Sequence, residues 1–111
     1  MQLSWQKCLG NVWGTLQWLD LEHSHFNTME GVYIIWQSNG PVVRIGQGVI
    51  KNRLSAHRND PAITRYSNLL VTWAAVPALY RNNVERYLAN IYNPLVGDAF
   101  PNALPLAVNL P

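Results

Sequence analysis

The sequence predicts an α+β domain in which helices flank a small, mainly antiparallel sheet of three strands, in the order β-β-α-β-α. Residues 31–37 are rich in β-branched and aromatic types and are followed by Asn39-Gly40, a dipeptide typical of a tight hairpin. Two later segments carry apolar residues at helical spacing. A chain of 111 residues suffices for one domain with one modest core.

The first two strands are predicted on either side of the Asn39-Gly40 turn. Residues 31–37 read Gly-Val-Tyr-Ile-Ile-Trp-Gln, and residues 42–47 form the return strand. Pro41 has no backbone N–H to give to a strand ladder, so it belongs at the edge of the turn.

The first helix is predicted over residues 49–58, directly after the hairpin. Ile50 and Leu54 face inward, because residues four apart lie on one face of a helix. The sequence Asn59-Asp60-Pro61 ends this helix, since the residue before a proline disfavours helical backbone angles.

A buried third strand is predicted over residues 69–76, and a second helix over residues 77–92. Pro77 suits the first turn of that helix, where a backbone N–H would have no helical partner. The core stripe of the helix consists of three apolar residues, Val84, Leu88 and Ile91.

Residues 1–111 form one domain with three parts, an N-terminal extension, a core and a C-terminal tail. Residues 1–30 form an N-terminal extension that is irregular apart from a short helix near residues 15–22. Residues 31–97 form the core. The tail, residues 98–111, is rich in proline and stays extended or looped.

The composition indicates a folded domain with an unusual surface. Half of the residues are hydrophobic (49%), and the 13% that are charged amount to about half the usual fraction. So few charges favour an apolar interface with a second copy of the chain or with a protein partner. The net charge of +2 does not by itself indicate a nucleic-acid partner, but residues 44–65 carry +4, and a phosphate backbone would dock there.

Cysteine content and hydropathy indicate a cytoplasmic protein without a membrane partner. Cys8 is the single cysteine of the sequence, which fits a reducing compartment. The first residues lack the apolar run of a secretory signal, and the longest nearly apolar run, residues 69–80, is shorter than the roughly 20 residues that span a bilayer.

Arg53 and His57 are candidate functional residues because they lie four apart on one helix face. A guanidinium group binds phosphate oxygens through two parallel hydrogen bonds, and a histidine one turn away can contact phosphate or move a proton. The alternative is that both are ordinary surface residues.

Glu85 is a candidate ligand for a divalent cation such as Mg²⁺ or Mn²⁺, which needs one protein carboxylate together with substrate phosphate and water. Two structural alternatives exist. Asn82-Asn83-Val84-Glu85 could form a capping box, and Arg81 could pair with Glu85 on the helix surface.

Three other features give weaker signals. A tyrosine in a strand, such as Tyr33, is more often a half-buried packing residue than a catalytic one. Gly46-Gln47-Gly48 lacks the spacing of a nucleotide-binding loop. His23 and His25 would lie on one face of a strand, but they have no third metal ligand nearby.

Taken in order, these residues resemble the GIY-YIG nuclease domain over about residues 30–97. The matching positions are Gly31-Val32-Tyr33, Arg44-Ile45-Gly46, Arg53, Leu54, His57, Glu85, Tyr92 and Pro94. The resemblance implies a three-stranded antiparallel sheet flanked by helices, cleavage of DNA, and one divalent metal ion.

The resemblance also implies roles for individual residues. Tyr33 would activate or position the attacking water, Arg53 would hold the scissile phosphate, and Glu85 would bind the metal. His57 matches a position where the family carries tyrosine or histidine.

Two positions depart from the family pattern. Arg44 replaces the tyrosine of the second motif, and Gly97 stands where the family tends to have an asparagine, for which Asn93 or Asn102 could substitute. Arg44 cannot act as a base, because a guanidinium group stays protonated. It could instead contact DNA phosphates, as could Lys51 and Arg58.

The sequence therefore supports two functional hypotheses. The first is a metal-dependent endonuclease whose site contains Tyr33, Arg53, His57 and Glu85, with Mg²⁺ or Mn²⁺ as cofactor. The second is a module of the same fold that binds nucleic acid or a protein without cutting.

Overall fold

The sheet is antiparallel throughout, in a computed structural model that describes residues 1–97 and 99–111. Residue 98, where the predicted tail begins, lies outside the described residues. The strands are β1 (Gly14–Thr15), β2 (Glu30–Gln37), β3 (Val42–Val49) and β4 (Leu69–Ala75). They lie side by side in the order β1-β4-β2-β3.

The α+β class is confirmed, but the number of strands was wrong. The described residues form four strands, because Gly14 and Thr15 pair with Val71 and Leu70 of β4. A strand of two residues is too short to show the alternation by which strands are recognised in a sequence.

The helices are α1 (Ile50–Arg58), α2 (Pro61–Thr64) and α3 (Ala78–Tyr92). The sequence did not predict α2. The turn that ends α1 also begins α2, since the Asp60 side chain accepts a hydrogen bond from the Ala62 N–H at 3.0 Å and Pro61 occupies the first turn. In place of the short helix predicted near residues 15–22, the chain forms a 3-10 turn at Leu16–Trp18.

The predicted hairpin is confirmed, and its register determines which side chains meet. Asn39 adopts a left-handed conformation in the turn. Tyr33 pairs with Gly46 and Ile35 pairs with Arg44, and an irregularity follows between Ile35 and Trp36. Paired residues share a face of the sheet, so Tyr33 and Arg44 lie on the same face as diagonal neighbours.

Each face of the sheet carries an apolar core. The face toward α1 is packed with Tyr33, Ile35, Val43, Ile50, Leu54, Ile63, Trp73 and residues of the N-terminal segment. The face toward α3 is packed with Val32, Ile34, Ile45, Val84, Leu88, Leu3 and Val108. The two chain ends thus lie against the same face as α3.

Ile91 does not belong to the core, contrary to the prediction. It is 46% exposed, whereas Val84, Glu85, Leu88 and Ala89 are buried. A step of four residues from Leu88 reaches position 92, so Ile91 falls on the flank of the helix.

Within the described residues, no helix is both long enough and apolar enough to cross a membrane.

Candidate functional site

Tyr33 lies at the base of the candidate site, on the face of the sheet that packs against α1. Its side chain is 1% exposed, and the phenol ring crosses directly over Gly46 on the neighbouring strand. A Cβ atom at position 46 would overlap the phenol, so this pairing requires glycine. Tyr33 is therefore buried beneath the site and does not line its surface.

His57 contacts Tyr33 from α1. The Tyr33 Oη and His57 Nε2 atoms are 2.6 Å apart, a hydrogen bond between strand and helix. Ile50 and Leu54 are fully buried and fix the helix on the sheet, as predicted. The face of α1 that carries His57 is thereby held above Tyr33.

Burial and neighbouring charges shift the pKa values of this pair. Burial, with the positive charge of Arg44 next, lowers the pKa of His57 from 6.5 to about 4, although Asp60 opposes the shift. Burial raises the pKa of Tyr33, against the opposing charge and hydrogen bonding of Arg44. At neutral pH both groups are therefore uncharged.

Arg44 and Gly97 lie side by side in the fold. The Arg44 guanidinium lies in the space beside the Gly97 Cα, where any side chain would collide with it. Gly97 also has φ +117°, a backbone conformation that favours glycine. Within residues 1–97 and 99–111, the buried Arg44 Nε has no hydrogen-bond partner. The two departures from the GIY-YIG pattern are thus in direct contact.

Glu85 reaches the same edge of the sheet from α3. It is 7% exposed, and its Oε2 accepts a hydrogen bond from Gln47 Nε2 at 3.1 Å. Gln47 also donates to Asn82 Oδ1 at 2.6 Å, which connects β3 to the first half of α3. Burial raises the pKa of Glu85, and the Gln47 hydrogen bond and the nearby Arg44 and Arg53 charges oppose that rise.

Both structural alternatives for Glu85 are wrong. The helix begins at Ala78, so Glu85 lies in its middle and caps nothing. Arg81 does not pair with Glu85: its Nη1 lies 3.7 Å from Glu30 Oε1, and its Nε donates to the Val76 carbonyl.

Arg53 is exposed on α1, and its side chain lies over Gly48. Its charge is close enough to affect the pKa values of Tyr33, His57 and Glu85. The structure thus places Tyr33, His57 and Arg53 around Gly46 and Gly48 of β3, and Glu85 beside Gln47 on the opposite face of the same strand.

Lys51 and Arg58 are held away from this cluster by the N-terminal segment. Lys51 Nζ lies 3.0 Å from Glu22 Oε2, and Arg58 Nη2 donates to the Leu19 carbonyl at 2.9 Å. Arg58 therefore has a structural contact. The basic charge of residues 44–65 is spread over more than one surface of the domain.

His23 and His25 lie on a 3-10 turn rather than on a strand. His23 Nδ1 accepts a hydrogen bond from the His25 N–H, and Trp73 Nε1 donates to His25 Nε2 at 3.0 Å. In the described part of the chain, no group of three or more His, Cys, Asp or Glu side chains could hold a metal ion.

The residues present fit a weakly held Mg²⁺ or Mn²⁺ rather than a closed metal site. Glu85 offers one carboxylate, and such an ion keeps several waters and takes further oxygens from substrate phosphate. Burial disfavours the charged form of Glu85, so a cation beside it would relieve an unfavourable charge.

The sequence-based reasoning missed two contributors to the site. Gln47 binds Glu85, and its place between Gly46 and Gly48 on a strand was the available signal, because alternation points it toward the α3 face. The contact between Arg44 and Gly97 joins positions 53 residues apart and has no local signal.

Comparison of the chain with protein-family models, curated proteins and solved structures finds no match. The resemblance to GIY-YIG nuclease domains therefore stays a prediction from the residues. Chemically, the cluster offers two guanidinium groups, one neutral histidine over a buried tyrosine, and one buried carboxylate. This set suits a phosphodiester better than a neutral ligand.

Proposed function

We propose that the protein is a metal-dependent endonuclease that hydrolyses phosphodiester bonds of DNA. The observation that carries this proposal is that His57, Glu85 and Arg53 all lie at residues 46–48 of β3, through Tyr33 over Gly46, Gln47, and Gly48 respectively. They come from two helices on opposite faces of the sheet. Residues so far apart in sequence, all suited to phosphate or cation, support a reaction centre over a packing cluster.

The side chains divide the work by position. Arg53 is exposed and binds the phosphate, with Arg44 as a second guanidinium behind it. Tyr33 is too deeply buried to touch DNA, so it acts on His57 as a positioning residue. Glu85 would hold Mg²⁺ or Mn²⁺, which when bound supplies charge neutralisation at the phosphate and a more acidic water.

Plasmid cleavage tests this function. Purified protein with Mg²⁺ or Mn²⁺ should convert supercoiled plasmid to nicked and linear forms. Glu85→Ala and Arg53→Ala should each lower the rate at least about 100-fold, as expected when a charged group at the reaction centre is removed. Gel electrophoresis gives the rates, and circular dichroism checks that each variant is folded.

Matched control variants are available outside the cluster. Asp20→Ala and Lys7→Ala each remove a charge from an exposed residue, and both should cut at the wild-type rate. Plasmid that stays supercoiled with wild-type protein, with either metal and across a range of pH, would contradict the proposal.

A second function, DNA binding without cleavage, is favoured by the seating of Arg44 against Gly97. If the resemblance to GIY-YIG domains is correct, Arg44 is a permanently charged donor in place of the family's tyrosine. Under this alternative, labelled DNA is retained, the affinity falls steeply with salt, and no product forms. Cleavage gained in Arg44→Tyr would show that Arg44 had disabled the site.

A further inference from the structure

We infer that His57 meets the substrate as a hydrogen-bond donor through Nδ1–H, in a tautomer that Tyr33 and Arg44 fix from beneath. This inference rests on the proposed function for the identity of the substrate, a phosphodiester. It differs from a role for His57 as the base that takes a proton from water. The tautomer itself follows from the hydrogen bonds around Tyr33.

The Tyr33 hydroxyl has one proton to donate and is almost wholly shielded from water. Arg44 faces the phenol and can only donate, because a guanidinium group has no acceptor. Among the described residues, the acceptor within hydrogen-bond distance is His57 Nε2, at 2.6 Å. Tyr33 O–H therefore donates to Nε2.

The opposite arrangement would have Nε2–H donating to the Tyr33 oxygen. The buried hydroxyl proton would then be left without an acceptor among the described residues. A buried donor without a partner is strongly disfavoured, which selects the first arrangement.

The position of the ring proton of His57 can be derived because the imidazole is neutral. Its pKa of about 4 leaves the imidazole uncharged at neutral pH, with a single ring proton. Because Nε2 accepts from Tyr33, that proton lies on Nδ1. Within residues 1–97 and 99–111, Nδ1 has no hydrogen-bond partner, so its N–H is available to a ligand.

Gly97 makes this arrangement possible. Its missing side chain leaves room for the Arg44 guanidinium, whose positive charge acts on the pKa values of Tyr33 and His57. Arg44 and Tyr33 are thus positioning residues that act through His57. With Arg53 one turn away on the same helix face, the site presents donors to phosphate, and the Nε2 lone pair is already engaged.

Nitrogen NMR of the histidine rings tests the tautomer without DNA. The chain has three histidines, and the other two supply both references. His25 accepts at Nε2 from Trp73 and so carries Nδ1–H, whereas His23 accepts at Nδ1 and so carries Nε2–H. At about pH 8, where ordinary histidines are neutral, His57 should show the His25 pattern. The His23 pattern at His57 would overturn the inference.

Tyr33→Phe should remove the preference, because the phenylalanine ring leaves Nε2 without its donor. His57 would then show a mixture of both tautomers, while the signals of His23 and His25 stay unchanged. An unchanged His57 pattern in a folded Tyr33→Phe variant would contradict the role given to Tyr33.

Two substitutions at position 57 test the donor role itself, with binding of a labelled oligonucleotide as the measurement. His57→Asn keeps an N–H near the Nδ1 position and should bind within about threefold of wild type, whereas His57→Leu should bind about tenfold more weakly, as for loss of one hydrogen bond to a charged group. Equal loss in both variants would contradict the donor role. Absence of any binding by wild-type protein would instead contradict the proposed function, and the NMR result would still stand.

Discussion

Single positions account for the chemistry of this site. Gly46 admits the Tyr33 phenol, Gly97 admits the Arg44 guanidinium, and burial keeps His57 neutral. Each of these effects depends on one atom or one charge in a confined space. Changes at single residues should therefore be measurable in stability as well as in function.

His57 should make stability fall in mild acid. Between about pH 6.5 and pH 4 the unfolded chain binds a proton at His57 and the folded chain does not, so acid favours unfolding. The loss should be roughly 1–2 kcal/mol, after allowance for the partly exposed ring. Urea unfolding across this range, compared between wild type and His57→Gln, measures the difference.

The charged groups that face His57 are Arg44, Arg53 and Asp60. The variant His57→Gln leaves all three in place. His23→Gln serves as a control for loss of an exposed imidazole. Parallel pH dependences for wild type and His57→Gln would show that the folded-state pKa is not lowered.

At the level of elements, the segment after α3 completes the site by covering the edge of β3. Leu95 and Val96 donate backbone hydrogen bonds to the carbonyls of Val42 and Val43, at 3.2 and 2.8 Å. These two bonds bring Gly97 against Arg44 on the same strand. An edge strand that would otherwise be open is thereby partly paired.

Gly97→Asn should destabilise the protein by roughly 2–4 kcal/mol, because it combines backbone strain with a collision against Arg44. The double variant Gly97→Asn with Arg44→Ala should recover part of this loss, since the collision is removed. Urea unfolding of the two single variants and the double variant gives the coupling.

Gly10→Asn is the matched control for the backbone contribution. Gly10 also has positive φ (+81°), but a Cβ there would have no atom within 4 Å. The loss of stability in Gly10→Asn should therefore be smaller than the loss in Gly97→Asn. Strict additivity between positions 44 and 97 would rule out the contact between them.

In the whole molecule, the two chain ends hold each other against the α3 face of the sheet. Asn109 Oδ1 accepts from the Leu3 N–H at 2.6 Å, its Nδ2 donates to the Leu3 carbonyl at 2.9 Å, and its own carbonyl accepts from Trp5 Nε1 at 2.8 Å. Leu3 and Val108 are buried in the core on that face. Leu3 and Trp5 at one end of the chain and Val108 and Asn109 at the other are therefore packed parts of the domain.

Asn109→Ala should lower the free energy of unfolding by about 1–3 kcal/mol, because the buried backbone of Leu3 loses both side-chain partners. Thermal unfolding measures the loss, and amide exchange at Leu3 should become faster. Asn90→Ala, at an exposed position on α3, is the control and should have little effect. Equal stability of the two variants would show that the ends contribute little.

The low charge content leaves several large apolar side chains on the surface, with Leu9, Trp18 and Leu104 almost fully exposed. These side chains are compatible with the predicted apolar interface. The partner itself, whether a second copy or another protein, stays a prediction.

Much of the fold was predictable because the signals were local. Asn39-Gly40 predicted the hairpin, and the spacing of Ile50 and Leu54 predicted α1 with its buried face. The elements that escaped prediction depend on distant partners. The two residues of β1 exist as a strand because β4 lies beside them.

The sequence by itself determined the α+β class, the hairpin, and the residue types of the cluster that we propose binds phosphate. Only the tertiary structure decided that Arg44 lies against Gly97, that Gln47 binds Glu85, and that Lys51 and Arg58 turn away. The physical reason is the distance along the chain over which each effect acts. Backbone preferences and hydrophobic periodicity act over a few residues, whereas the fit of one side chain into the space beside another depends on segments that meet after folding.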